Sequence, residues 1–179
     1  MIYSMVCRKL RICKAESVKY YLTGEVVMSK VMSELAKLFD RYYDKRICVL
    51  GTTCCGKSTL QSQFAETVDM DEELWPTLSK EEELYICQKP WTNDIGKFTS
   101  KLVKERVVIK PGHPLFSLIL LDCDVIIYLG ISDALLQKHC QLRNASFEDA
   151  KNVKYAIEST INARRLSGNL KIYDLEMDE

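Results

Sequence analysis

Apolar residues recur along this chain with two alternating periods. Val27, Met28, Val31, Met32, Leu35, Leu38, Phe39, Tyr42 and Tyr43 fall at three- and four-residue steps, which predicts an amphipathic helix over 27–43. Its stripe is wide enough for core packing or for a homodimer. Residues 46–50 read as a short buried strand, and 58–67 as a helix with Leu60 and Phe64 on one side. Trp75-Pro76 interrupts regular structure. Helices are predicted over 81–87 and 91–106, the second with Ile95, Phe98 and Leu102 inward and Lys97, Lys101 and Lys104 outward. A strand over 106–110 should stop at Pro111-Gly112, and 115–121 suits a short buried helix or an apolar connector. Residues 124–129 form a second apolar run ended by Gly130. Ser132 should cap a helix over 133–143, and Ser146 to Asp149 resembles a capping box opening a helix to Leu166, closed by Gly168. A short strand over 170–174 precedes an acidic tail. Strands alternating with helices predict an α/β fold, a parallel sheet wrapped on both faces.

Composition narrows the picture little and charge somewhat more. A chain of 179 residues makes one domain, with residues 1–45 (a basic segment and the first helix) as an appendage to 46–179. Net charge is zero, so nothing global favours nucleic acid or a membrane surface. Locally, Arg8, Lys9, Arg11, Lys14 and Lys19 crowd the first 24 residues, while Glu66, Asp69, Asp71, Glu72, Glu73, Glu81, Glu82 and Glu83 make an acidic block. Eight cysteines form no C-x-x-C pair and meet only two histidines, which argues for reduced thiols in a cytoplasmic protein rather than disulfides or zinc. Cys48 and Cys123 border apolar runs and read as core residues. No apolar run reaches membrane-spanning length, since Asp122 and Asp124 interrupt 115–129.

The chemistry is concentrated in Gly51-Thr52-Thr53-Cys54-Cys55-Gly56-Lys57-Ser58-Thr59, which fits G-x-x-x-x-G-K-[S/T] between a predicted strand and a predicted helix. Such a loop makes a nest of backbone N–H groups for a triphosphate. Lys57 would reach the β- and γ-phosphates, and the Ser58 hydroxyl would hold Mg²⁺. A helix start beside Cys54 and Cys55 favours thiolate, so both are expected to be sensitive to oxidants.

With these residues the chain resembles the small P-loop kinases of the shikimate, gluconate and adenylate kinase group, over about residues 46–175. The resemblance implies the three-layer fold of P-loop nucleoside-triphosphate hydrolases. It also implies ATP and Mg²⁺ as cofactors, and transfer of the γ-phosphoryl to a small metabolite or nucleotide. Asp69-x-Asp71 stands where shikimate kinases carry Asp-x-Asp. By that likeness Asp69 serves the metal, and Asp71 binds the acceptor hydroxyl and takes its proton. The stretch 124–143 looks like the strand and lid-leading helix of the group, whose two basic places fall on His139, against adenine, and Arg143, toward the phosphates. Lys154, Arg164 and Arg165 are candidates to extend that clamp. The lid is short, around 143–150, and Lys110-Pro-Gly112-His113 replaces the glycines that end the middle strand in the group. The segment 75–104, with Trp75, Trp91, Lys97 and Lys101, is the expected acceptor pocket; the acceptor itself is unidentified.

Two other readings compete. Leu118-Ile-Leu-Leu-Asp122 mimics the hydrophobic run and aspartate of P-loop ATPases; were it a strand beside the loop, Asp122 would take the metal from Asp69. That describes an ATPase or nucleotide-dependent switch without an acceptor, although the base-reading motif of GTPases is missing. The other is a binding module that keeps the loop without turnover.

Overall fold

The computed structural model describes residues 24–88, 92–168 and 170–178; the basic stretch 1–23, with Cys7 and Cys13, and Trp91 lie outside the described residues. In chain order the elements are α1 (Gly24–Arg41), β1 (Ile47–Gly51), α2 (Lys57–Gln61), β2 (Val68–Asp69), α3 (Met70–Leu74), a 3₁₀ turn (Trp75–Thr77) and α4 (Lys80–Ile86). Then follow α5 (Asn93–Arg106), β3 (Leu115–Ser117), β4 (Val125–Gly130), α6 (Asp133–Leu142), α7 (Phe147–Ser167) and β5 (Lys171–Glu176). All five described strands pair in parallel in the order β2-β3-β1-β4-β5.

Every residue of β1 and β4 is buried, as expected of strands covered on both faces. Alternate positions divide between two cores. Cys48, Leu50, Ile126 and Tyr128 join α3, α4, α5 and α7 on one face. Ile47, Val49, Ile127 and Leu129 join α1, α2 and α6 on the other. Of the first helix's apolar stripe, Val31, Leu35, Leu38 and Tyr42 are buried in the second core, while Tyr43 is exposed. Residue 45 is therefore no break in packing, because the described part of 1–45 shares a core with 46–178.

Three segments differ from expectation. First, 106–110 is not a strand; Val107 caps α5 through its N–H to the Val103 carbonyl, and only an isolated bridge joins Lys110 to His113. Val107 and Ile109 are buried and Val108 is exposed, so the alternation is genuine, but it seals a core edge without sheet partners. Second, 115–117 is neither helix nor connector but β3, the strand between β1 and β2. Third, α2 stops at Gln61 instead of continuing to 67. The Thr67 hydroxyl donates to the carbonyls of Gln61 and Phe64, a side-chain bond that ends the helical ladder.

The topology opens a crevice at one end of the sheet. The connection leaving β1 runs toward β2, on one side of the sheet, while that leaving neighbouring β3 crosses to β4 on the other. Adjacent strands whose exits diverge open a crevice at their carboxyl ends, the usual binding place in open α/β sheets. Among the described residues no helix is long and apolar enough to cross a membrane.

Candidate functional site

The crevice is filled by the loop that follows β1. Gly56, at φ 102°, is the N-cap of α2 and turns the chain from strand to helix in the left-handed region that glycine tolerates. Its carbonyl accepts from the N–H groups of Thr59 and Leu60, both at 3.0 Å. Cys54 also takes a left-handed conformation, φ 63°, without glycine's freedom. Gly51 is required for closeness rather than for dihedral freedom: a Cβ there would lie 2.6 Å from Cys55 Sγ and 3.3 Å from Leu129 Cβ.

Lys57 folds back over this loop and donates from Nζ to the carbonyls of Gly51 (2.6 Å) and Thr52 (2.8 Å). The Thr52 hydroxyl donates to the Ala150 carbonyl, tying the loop to the first turn of α7. The Thr53 hydroxyl is buried and has no hydrogen-bond partner, yet Thr53 lines the cleft beside Gly56 and Lys57. A buried polar oxygen without a partner is costly, and a bound polar ligand or water would relieve it.

Opposite the loop stand Asp69, at the end of β2, and Asp71, in the first turn of α3. Asp69 also has a structural role, because its Oδ1 accepts from the Asp71 N–H at 2.8 Å as the N-cap of α3. Burial pushes the Asp69 carboxyl above its ordinary range, opposed by the Asp71 N–H and by the Lys57 charge. Ser117, at the end of β3, forms the floor, its hydroxyl donating to the Ile119 carbonyl at 2.7 Å. Arg143, the C-cap of α6, is exposed at the mouth. Lys57, Ser58, Asp69, Asp71 and Arg143, dispersed over almost ninety residues of sequence, thus line one cleft.

Other expected participants lie elsewhere. Asp122, the alternative to Asp69, is engaged elsewhere: its Oδ2 accepts from Arg46 Nη1 at 2.5 Å, and Asp124 binds the same guanidinium at 2.9 Å. That cluster sits at the entry of β1, and five strand residues, about 16 Å, separate it from the loop. Lys154 (2.8 Å) and Lys151 (3.0 Å) both pair with Asp133, joining α6 to α7, and Arg165 pairs with Asp174. Neither Lys154 nor Arg165 lines the cleft, and neither do Trp75, Lys97 or Lys101.

His139 has a partner within the chain. Its Nδ1 lies 2.9 Å from the Cys54 carbonyl, so the ring touches the loop backbone. Cys54 and Cys55 are 7% and 0% exposed and belong to the core under the loop, which withholds them from the oxidants their position suggested. Burial, with the Cys54 thiol alongside, pushes the Cys140 thiol of α6 up to about 12. Thr53 belongs to the glycine-bounded motif that the sequence predicts for the nucleotide, whereas Ser117 carries no signature that marks it in the sequence as a site residue.

Among the described residues, no group of three or more His, Cys, Asp and Glu is arranged to hold a metal ion. No protein-family model matches the chain, and no curated protein matches it.

Proposed function

We propose that the protein is an ATP-dependent phosphotransferase and that residues 51–59 are its P-loop. The observation that carries this reading is the convergence of Lys57, Ser58, Asp69, Asp71 and Arg143 on one cleft at the sheet's diverging strand ends, around the unpartnered Thr53 hydroxyl.

In this reading Gly56 and the loop amides cradle the polyphosphate, and Lys57 exchanges its two backbone carbonyl partners for phosphate oxygens. The Ser58 hydroxyl and the Asp69 carboxylate are the groups suited to Mg²⁺, which characteristically takes one or two protein oxygens and leaves the rest of its shell to phosphate and water. Mg²⁺ would neutralise charge on the β- and γ-phosphates when bound. Asp71 orients the acceptor hydroxyl and takes its proton as the acceptor oxygen attacks the γ-phosphorus; the bond to the β–γ bridging oxygen breaks and ADP departs. Arg143, at the mouth, is placed to screen charge on the transferring group.

The test is ADP release from Mg²⁺–ATP, measured with and without a panel of small hydroxyl- and phosphate-bearing metabolites. Release that depends on one acceptor supports the phosphotransferase. Steady release without any acceptor replaces it with an ATPase or switch, and binding without release leaves a nucleotide-binding module.

A further inference from the structure

We propose that His139 is a positioning residue: from α6 it holds Cys54 in its left-handed conformation and so sets the shape of the phosphate cradle. A carbonyl oxygen can only accept, so the 2.9 Å contact to Cys54 requires the proton on Nδ1. That bond lands on the one described residue of the loop that adopts positive φ while carrying a side chain. A residue held in a disfavoured region persists only when its surroundings over-determine it. Here those surroundings are the His139 donor from above and burial of the Cys54 side chain beside Cys140, both from α6.

The support behind His139 is stiff. Asp133 near the start of α6 is paired with Lys151 and Lys154 of α7, and α7 receives the Thr52 hydroxyl at Ala150. The Ala145 N–H closes the turn between the helices on the Cys140 carbonyl at 2.9 Å. Arg143 follows His139 by four residues, one helical turn, so one helix both braces the loop and carries the cation at the cleft mouth. The positioning role rests on the reading of the loop as a phosphate cradle; the bracing of Cys54 does not.

The experiment compares His139→Asn and His139→Gln with the wild-type chain. An Asn amide nitrogen occupies the place of Nδ1, whereas that of Gln occupies the place of Nε2. Two quantities are read: alkylation of Cys54 by a maleimide, resolved from the other thiols by peptide mass spectrometry, and the Kd of Mg²⁺–ATP by calorimetry. His139→Gln is expected to speed Cys54 labelling and to weaken ATP by about tenfold each, the worth of one hydrogen bond. His139→Asn is expected to recover most of both. Equal labelling in all three chains, or equal exposure by Asn and Gln, overturns the proposal. So does unchanged ATP affinity in a His139→Gln chain whose Cys54 has become reactive. If the wild-type chain binds no ATP while only His139→Gln exposes Cys54, the brace stands and the phosphotransferase reading falls.

Discussion

Gly51 offers the sharpest energetic test of the loop, because its surroundings leave no room for one methyl group. A Cβ at 51 would lie 2.6 Å from Cys55 Sγ, 3.3 Å from Leu129 Cβ and 3.4 Å from Lys57 Cγ. Cys55 is wholly buried and its sulfur has no flexible stem by which to retreat. Gly51→Ala is therefore an overpacking change, expected to cost about 1–3 kcal/mol. In a chain of this size that lowers Tm by about 2–12 °C. Cys55→Ala alone removes one buried atom and should cost about 1 kcal/mol. Together the two changes are complementary, since the second removes the atom that the first strikes. The double variant should be more stable than the sum of the singles by about 1 kcal/mol, though below wild type because the Leu129 and Lys57 contacts stay tight. Urea denaturation of all four chains closes the cycle. Additivity within about 0.5 kcal/mol would refute the claim that the Cys55 sulfur is what demands glycine.

Other expectations are briefer. Asp69 is a carboxylate whose burial raises its pKa, so the unfolded chain gives up its proton first. Its ionised form thus costs stability above the raised pKa and costs nothing below the ordinary carboxylate range. Asp69→Asn keeps an N-cap residue and should stabilise the fold by up to about 1 kcal/mol at neutral pH. That gain should vanish in acid, in thermal melts across pH, while Mg²⁺-dependent ATP binding weakens. Asp71→Asn should leave the ATP Kd within about twofold and cut acceptor-dependent turnover by about 100-fold or more; full-rate transfer by this variant would remove Asp71 from proton transfer. Gly168→Ala meets nothing within 4 Å but sits at φ 70°, so its cost in the same denaturation assay should be the backbone term alone, about 1 kcal/mol.

What the sequence made legible was whatever is decided locally. The apolar runs of β1 and β4 are continuous because both faces are covered, and the caps at Ser132, Ser146 and Gly168 act within one turn, so all appear in the expected places. The glycine-bounded motif was visible for the same reason. β2 and β3 were not, since two- and three-residue strands exist only through partners far along the chain. The alternation at Val107, Val108 and Ile109 misled because burial on one side has period two with or without a sheet. The spacing of His139 and Arg143 rightly put them one turn apart, but the partner of His139 lies 85 residues earlier, at Cys54. The apolar run ending at Asp122 offered an alternative to Asp69 on the condition that it formed a strand beside the loop; it forms none, and Asp122 pairs with Arg46 at the strand entry.

The margins of the sheet bear on how two copies of this chain could meet. One margin is β2, which offers only two residues of backbone, and the other is β5, where Lys171, Asp174 and Glu176 are exposed. Short or charged outer strands give an incoming polypeptide few ladder bonds and unfavourable company. Among the described residues, self-association by strand addition is thereby discouraged at both rims of the sheet.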